Sequence, residues 1–371
     1  MHLLDSFGDN MKILYLAFTN SNIDSRTRDL LLIAHHLGDV FYIGMSDSDS
    51  VSANEILIKS GHSKILNYIV FVYTVLKHIF SNQYDGLFID NYHAAPCGLL
   101  IRKIYKNNVF VIQDVRELYL SNNLSTFFGK ILIYCEKMLM KRADIVISAN
   151  AIRAQIYKGL HRLKKMPIVF ENIHWFDNQT KSELSLLNNE TIKVVVTDGL
   201  NPQRMTRELL EAINHLDGRF SFFVVGDVSD EEIKMAESLV SHEKIKQISF
   251  VGKMPHKELG QFLLSCDIGV VKYNFDDLNN IFCASGKIYE FIMSGLPVVT
   301  TEQAVLKGMC EKYGIGVADN KFYPGLLKIA DNMSIYKENA KKYQSEIIKR
   351  DYVQECVQKI KEIMKEIHGS L

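Results

Sequence analysis

The sequence has no excess of charge of either sign, because 43 lysines and arginines balance 43 aspartates and glutamates. We therefore do not expect the positive field that nucleic-acid binding requires. The six cysteines are scattered and include no C-x-x-C pair, which argues against a zinc site and against a disulfide scaffold. Reduced thiols in the cytoplasm are the simplest account of these cysteines.

Long apolar runs are also missing. The most apolar run, Ile65–Phe80, is about 16 residues long and is interrupted by Asn67, Lys77 and His78, whereas a spanning helix needs about 20 residues. We predict that this run is a helix buried between two strands, with a membrane-surface helix as the alternative. Residues 1–10 show no periodicity, and we interpret them as an N-terminal extension outside the fold.

The length and the order of elements predict two α/β domains. A chain of 371 residues is too long for one ordinary core. A strand at Lys12–Ala17, a helix at Thr27–Leu37 and a strand at Val40–Gly44 indicate a βαβ unit with a parallel sheet. We predict a first domain at 11–177, a linker rich in Asn, Ser and Thr at 178–190, and a second domain at 191–345.

One stretch, residues 284–301, carries the strongest local signals. Ser285 is suited to cap a helix, and Gly286 lets the backbone approach a ligand closely. Gly295 follows the last helical residue, and Pro297 prevents the helix from continuing. The β-branched residues that follow then predict a buried strand.

The polar residues of this helix suggest an anion site. Free N–H groups at Ser285–Lys287 and the positive end of the helix dipole favour an anion, and Lys287 adds a full charge. Glu290, one turn later, could accept hydrogen bonds from the two vicinal hydroxyls of a ribose. The alternative is a surface helix in which Lys287 and Glu290 form an i,i+3 pair worth about 0.3 kcal/mol.

This stretch resembles the nucleotide-sugar site of GT-B glycosyltransferases, in particular glycosyltransferase family 4 (group 1). The family pattern S/P-x-K-x-x-E-Y/F-x-x-x-G-x-P-V-V is matched by Ser285, Lys287, Glu290, Phe291, Gly295, Pro297, Val298 and Val299. In that family the Glu at this position holds the ribose, and the helix N-terminus holds the diphosphate. Many members carry a second Glu eight residues earlier, where this chain has Phe282.

The resemblance implies an α/β fold of two Rossmann-like domains facing a cleft, with a C-terminal helix at 346–371 that crosses back to the first domain. It implies transfer of a sugar from a nucleotide-diphosphate donor to a hydroxyl of a saccharide or lipid-linked saccharide, in bacterial surface polysaccharide biosynthesis. Retention of configuration and independence of metal are expected. The nucleotide-sugar is a co-substrate, so no cofactor is expected. The implied location is cytoplasmic, with peripheral contact to the inner face of the membrane.

The remaining donor-binding candidates follow from the same resemblance. Gly199 fits the glycine after the first strand of the donor domain, Leu200 replaces the family's Arg, and Arg204 fits the second basic position. In relatives, backbone near the turn after a later strand reads the nucleobase. The donor-binding residues are thus predicted to be Gly199, Arg204, Val251, Lys253, Tyr273, Ser285, Gly286, Lys287 and Glu290.

The first domain supplies weaker candidates. The segment Asp114–Glu117 resembles the family's D-x-H-E or D-x-R-E segment, which faces the acceptor, and Arg116 stands where many relatives have His. Asp114 or Glu117 could act as a base. The alternative is that these residues and Arg116 form a structural ion-pair network. The acceptor-side candidates are Ser25 and Arg26, in place of a Gly-Gly pair, and His93, for which a solvated loop residue is the alternative.

Two other functions share these sequence features. A nucleotide-sugar 2-epimerase of the same fold would also hold a ribose through a Glu, but it needs acidic residues from both domains around the sugar. A non-catalytic partner subunit would retain the fold without the chemistry. Phe282, Leu200 and Arg116, at positions where relatives carry functional residues, favour that second alternative.

Overall fold

A computed structural model describes residues 11–21, 24–61, 63–119, 126–173 and 190–369. The predicted N-terminal extension and all of the predicted linker except Glu190 lie outside the described residues. The chain divides into two compact units. The first comprises Met1–Glu171 with Asp351–Leu371, and the second comprises Asn172–Arg350.

The first unit contains an eight-stranded sheet in the order β3-β4-β2-β1-β5-β6-β7-β8. Every neighbouring pair is parallel except β3 with β4, which is antiparallel. The strands are β1 (Met11–Asn20), β2 (Gly38–Ser46), β3 (Ser50–Val51), β4 (Glu55–Lys59), β5 (Gly86–Asp90), β6 (Phe110–Val115), β7 (Ile145–Ser148) and β8 (Ile168–Val169).

Helices cover both faces of this sheet. Because the central strands β1, β2, β5 and β6 are parallel and buried on both faces, each supplies apolar residues to two cores. One core includes Tyr15, Leu30 and Phe88, and the other includes Leu16, Phe71 and Ile89. The helices that precede the second unit are α1 (Ser25–His35), α2 (Lys64–Ser81), α3 (Asn91–Ile104), α4 (Phe127–Met140) and α5 (Ala151–Leu160).

The prediction of a buried helix at Ile65–Phe80 is wrong. Helix α2 buries Tyr68 and Phe71 on one side, but the opposite side is exposed, with Ile65 at 70%, Tyr73 at 65% and Phe80 at 76%. The helix therefore carries apolar residues on its exposed side as well as on the side that faces the core. In the described part of the chain, no helix combines the length and apolar character that crossing a membrane requires.

The second unit contains a six-stranded parallel sheet in the order β11-β10-β9-β12-β13-β14. Its strands are β9 (Ile192–Val196), β10 (Phe220–Val225), β11 (Ile248–Gly252), β12 (Ile268–Val271), β13 (Val298–Thr300) and β14 (Gly316–Ala318). Its helices are α6 (Thr206–Ile213), α7 (Asp230–Leu239), α8 (His256–Leu263), α9 (Leu278–Ile281), α10 (Gly286–Met293), α11 (Ala304–Tyr313), α12 (Tyr323–Asp331) and α13 (Met333–Ile348).

The last helix, α14 (Tyr352–Gly369), belongs to the first unit. Its buried residues Cys356, Val357 and Ile360 join the core on the α1 side of the sheet. Residues 346–371 do not form one continuous helix, because α13 ends at Ile348 and three residues separate it from the start of α14 at Tyr352. The predicted α/β class, with two Rossmann-like parallel sheets, is confirmed.

Candidate active site

The helix predicted within residues 284–301 forms as α10, and Ser285 is its N-cap with φ −72° and ψ 116°. The Ser285 side chain makes no capping hydrogen bond to α10, so it does not cover the first-turn amides. Gly295, just beyond the helix, has φ +71°, a left-handed conformation that glycine adopts without strain. The local signals therefore define both ends of α10 correctly.

Lys287 and Glu290 do not form the exposed pair of the surface-helix alternative. The Nζ of Lys287 donates to the carbonyl oxygen of Thr197 at 3.1 Å and lies 3.4 Å from the Thr197 Oγ1. Thr197 follows the last residue of β9, so Lys287 reaches the carboxyl edge of the sheet. Glu290 is buried. The first turn of α10 thus presents a cation at the edge where open α/β sheets bind ligands.

A second group of charges lies at the same edge. Lys272, which is buried at the exit of β12, places its Nζ 2.9 Å from the Oδ1 of Asp198. Arg204 places Nη1 3.8 Å from the Asp198 Oδ2 and stacks over the ring of Tyr273, with its guanidinium carbon 4.6 Å from the ring centre. Burial lowers the pKa of Lys272, while Asp198 opposes that shift. Two cations, Lys272 and Arg204, therefore lie within 4 Å of the Asp198 carboxylate, and Lys287 contacts the neighbouring residue Thr197.

Side chains that the sequence analysis missed hold the segment after β12 in place. The Oγ1 of Thr301 accepts from the Tyr273 N–H at 3.1 Å, and the Nε2 of Gln303 donates to the Tyr273 carbonyl at 2.8 Å. The Oδ1 of Asn274 accepts from the N–H of Met205 at 2.7 Å. Met205 is left-handed, with φ +48°, and this bond fixes the start of α6 next to Arg204.

The residues at the first glycine turn are buried, whereas those predicted near the nucleobase are half-buried or exposed. Gly199 has φ +61°, and a Cβ atom there would lie 2.7 Å from the Asp227 carbonyl oxygen, so a side chain does not fit. Leu200, in place of the family's Arg, is buried in the core. Val251 is half-buried in β11, whereas Lys253 is 77% exposed and lies 3.8 Å from the exposed carboxylate of Asp227.

In the first unit, Arg26 and Asp114 form a buried bidentate ion pair. The Nε and Nη2 atoms of Arg26 lie 3.0 and 2.5 Å from the two carboxylate oxygens of Asp114. The Nη1 atom donates to the carbonyl oxygen of Phe170 at 2.7 Å. Asp114 is fully buried. These contacts correspond to the alternative in which Asp114 belongs to a structural ion-pair network. They also engage the guanidinium of Arg26, which we predicted to lie on the acceptor side.

Arg116 joins the same network. Its Nε and Nη2 atoms donate to the two carboxylate oxygens of Asp90 at 2.8 and 2.7 Å, and its Nη1 lies 2.6 Å from the Oδ2 of Asp24. The carboxylates around Arg116 raise its pKa, although burial opposes that shift. Asp24 also caps α1, which begins at Ser25. Arg116 therefore connects the ends of β5 and β6 to the start of α1.

Glu117 and His93 have different surroundings. The Glu117 side chain is 38% exposed, and its Oε2 lies 3.9 Å from Nη1 of Arg153. Within the segment Asp114–Glu117 it is the carboxylate with the most access to solvent. His93 lies in the first turn of α3, where its ring packs on Tyr92 and Phe18 with centroids 3.9 and 5.3 Å apart. Because His93 is helical and its ring packs on two aromatic rings, the alternative of a solvated loop residue is wrong. Burial lowers the pKa of His93 to about 4.

No protein-family model and no curated protein matches the chain. Solved structures do match. Sucrose-phosphate synthase from Thermosynechococcus elongatus has a TM-score of 0.70 at 12% identity, covering 98% of this chain and 100% of that one. HepE from Anabaena, in complex with UDP and glucose, has a TM-score of 0.67 at 16% identity, covering 96% and 100%.

A putative UDP-N-acetylglucosamine 2-epimerase from Listeria monocytogenes has a TM-score of 0.61 at 12% identity, covering 98% of each chain. Identities this low establish the fold alone. The similar structures include GT-B glycosyltransferases, and the GT-B fold predicted from residues 284–301 is confirmed.

Proposed function

We propose that the protein is a glycosyltransferase that moves a sugar from a nucleotide-diphosphate donor to a hydroxyl of a saccharide or lipid-linked saccharide. The pairing of Arg204 and Lys272 with Asp198, next to Lys287 in the first turn of α10, carries this proposal. Three cations and one carboxylate leave two positive charges, which suits the diphosphate of a nucleotide-sugar. The structural similarity to HepE in complex with UDP and glucose supports the donor class.

In the proposed reaction, the acceptor hydroxyl oxygen bonds to the sugar as the bond between the sugar and the diphosphate breaks. Negative charge develops on the departing diphosphate, which takes up the hydroxyl proton. The first-turn amides of α10, together with Lys287 and Arg204, stabilise this charge without a metal. Glu290, buried one turn beyond Lys287, accepts the hydrogen bonds of the ribose hydroxyls. Transfer proceeds with retention of configuration. If the product is inverted instead, Glu117 is the base, because Asp114 is engaged by Arg26.

The decisive experiment compares Glu290→Gln with wild type in a thermal-shift screen of UDP, GDP, ADP, CMP and their sugars. Ligand at 100 times its dissociation constant adds about 2.7 kcal/mol to stability. One nucleotide should raise the melting temperature of wild type but not of Glu290→Gln. Glu311→Gln, an exposed carboxylate on α11, serves as the control and should respond like wild type. The donor-site proposal fails if no nucleotide stabilises wild type.

Metal independence is tested separately by assaying transfer in the presence of a chelator. Activity should persist, since the positive charges that stabilise the leaving group come from Arg204, Lys287 and the amides of α10. Loss of activity with chelator, followed by recovery on adding Mn²⁺ or Mg²⁺, would contradict this part of the proposal.

The exposed side of α2 and α4 supports contact with the cytoplasmic face of a membrane, and so a lipid-linked acceptor in surface polysaccharide biosynthesis. The rings of Tyr68 and Phe128 lie 5.1 Å apart and join the two helices. No acidic residue occurs in α2, and the acidic residue of α4, Glu136, is buried, while the helices carry exposed lysines. An apolar surface with basic residues and no exposed acid matches an anionic bilayer.

Flotation with anionic vesicles tests this contact. The double variant Phe80→Ser/Phe127→Ser removes two of the most exposed apolar side chains and should reduce binding. Phe275→Ser, on an exposed site of the second unit, is the matched control and should bind like wild type. Equal flotation of all three proteins would exclude this surface.

A second candidate function is a nucleotide-sugar 2-epimerase, which the similarity to the Listeria protein favours equally. An epimerase converts the donor without an acceptor, so incubation with the nucleotide-sugar alone separates the two functions. Appearance of an epimeric nucleotide-sugar would favour epimerisation, and consumption of donor only with acceptor would favour transfer. Tight nucleotide binding without turnover in either assay would instead favour a non-catalytic partner subunit.

A further inference from the structure

The first unit contains a basic cavity of about 620 Å³ at the amino edge of its sheet, opposite to the edge that carries Asp114. Two dibasic pairs line the cavity. Lys141 and Arg142 lie between α4 and β7, and Lys164 and Lys165 lie between α5 and β8. Arg102, in the last turn of α3, is the fifth cation. The proposed donor site lies in the other unit, so this cavity is separate from it.

The charges of this basic cavity are not balanced. Asp144 lies 3.5 Å from Nη1 of Arg102, but its carboxylate also accepts the N–H of Val111 at 2.8 Å. Glu366 lies 3.2 Å from Lys165 in an exposed pair, and such pairs contribute little. Among the residues that the structure describes, no carboxylate lies within ion-pairing distance of Lys141, Arg142 or Lys164. The cavity therefore keeps about three excess positive charges, whereas the chain as a whole has none.

Arg102 gives a second, independent indication of a ligand. Its Nη1 atom is buried and makes no hydrogen bond within the described part of the chain, since the Asp144 carboxylate lies 3.5 Å away, and its Nε makes a long bond of 3.3 Å to Asn107 Oδ1. A buried guanidinium nitrogen without a close acceptor recovers only part of the hydration that it loses. An anion in the cavity would supply a closer acceptor.

The lining also indicates the chemistry of the anion. A guanidinium together with several ammonium groups favours phosphate oxygens, which accept from many donors at once. Met140, Met166, Ile363 and Ile367 form an apolar part of the lining, and the lining contains no aromatic ring on which a nucleobase could stack. These features match a phosphate group attached to an apolar or neutral body better than a nucleic acid.

The geometry points to a second anion site, in which this basic cavity binds a phosphate-bearing ligand. The same chemistry could be supplied by the headgroup of an anionic lipid or by a soluble phosphate ester. The site does not depend on the proposed transferase activity, because none of its residues belongs to the donor cluster.

The test measures binding of inorganic pyrophosphate by calorimetry, in a Lys287→Met background that weakens the donor site. The double variant Lys164→Gln/Lys165→Gln should weaken pyrophosphate binding by roughly tenfold or more, since two charged contacts to the phosphate oxygens are lost. The matched control is Lys341→Gln/Lys342→Gln, an exposed dibasic pair on α13 outside the cavity, which should bind like the background protein.

A second arm uses phosphatidylcholine vesicles with and without phosphatidic acid. If the ligand is a lipid headgroup, phosphatidic acid should increase vesicle binding, and Lys164→Gln/Lys165→Gln should reduce this increase whereas Lys341→Gln/Lys342→Gln should not. If the ligand is a soluble phosphate ester, Lys164→Gln/Lys165→Gln should weaken pyrophosphate binding but leave vesicle binding unchanged. The inference is overturned if the cavity variant and the control variant behave alike in both arms, or if neither probe binds. Nucleotide binding by wild type is measured alongside, so a failure here is distinct from a failure at the donor site.

Discussion

Lys272 and Asp198 form a buried ion pair in which the lysine Nζ lies 2.9 Å from the carboxylate Oδ1. The two residues follow neighbouring strands, β12 and β9, so the pair connects two strand ends at the candidate donor site. We predict that Asp198→Asn destabilises the protein by about 3–5 kcal/mol, because it leaves a buried ammonium without its counter-charge. Urea denaturation measures this change.

Two further variants serve as controls for the change in stability of Asp198→Asn. Asp227→Asn removes an exposed carboxylate at another strand exit and should leave stability unchanged. Adding Lys272→Met to Asp198→Asn should recover most of the lost stability, since the uncompensated charge is gone. If Asp198→Asn is as stable as wild type, the pair does not stabilise this edge of the sheet.

The second prediction concerns two arginines near the start of α6. Arg204 stacks on Tyr273 beside Asp198, whereas Arg207 is exposed and lies 3.6 Å from Glu211 one turn later. Arg204→Gln should weaken binding of the nucleoside diphosphate by about 10- to 100-fold, which corresponds to one charged hydrogen bond. Arg207→Gln should have no effect. Titration calorimetry with the nucleotide found in the screen measures both, and equal losses would remove Arg204 from the phosphate site.

The third prediction separates two carboxylates that the sequence could not distinguish. Asp114→Asn should lower stability by about 3–5 kcal/mol, because it leaves Arg26 buried without its partner. Glu117→Gln should fold with wild-type stability, since Glu117 is part-exposed. If Glu117 acts as a base, Glu117→Gln should lower kcat by about 100-fold or more. Denaturation measures the stability of both variants, and a kinetic assay with product analysis measures kcat and the anomeric configuration of the product. An unchanged kcat together with retention of configuration would exclude Glu117 as a base.

The fourth prediction is a pH dependence from His93. Burial depresses the pKa of His93 to about 4, below the value of about 6.5 in an unfolded chain. The folded state therefore binds fewer protons than the unfolded state between these values, and stability falls as the pH falls from about 6.5 to 4. Between pH 7 and pH 5, the free energy of unfolding of His93→Gln should fall by up to about 2 kcal/mol less than that of wild type. Identical curves would mean that His93 titrates normally.

The sequence predicted the parts of the candidate site that local rules determine. A serine before α10, a glycine after it and a proline beyond define the helix without reference to the rest of the chain. The side chains of Lys287 and Glu290 then follow from the helical period. In contrast, the pairing of Lys272 with Asp198 depends on β12 lying next to β9, and the strand order is not encoded in any short pattern.

The other differences between the prediction and the structure involve contacts between residues distant in the sequence, the exposed side of α2 and the start of α14. Arg26 and Asp114 are 88 residues apart, so no spacing rule links them. Helix α2 carries apolar residues on both sides, and nothing in its sequence shows that one side is exposed among the described residues. The break before α14 did carry a signal, because Asp351 accepts from the N–H of Gln354 as a helix cap does. That signal predicts the start of α14.

The packing of α14 against the first unit has a consequence for biosynthesis. The second unit is inserted between the main part of the first unit and this helix, so the ribosome delivers all of Asn172–Arg350 before Cys356, Val357 and Ile360 emerge. Domains fold as units during synthesis. The second unit can therefore fold while the nascent first unit still exposes the apolar strip that α14 covers, and chaperone contact during that interval should concentrate on β1, α1 and β8.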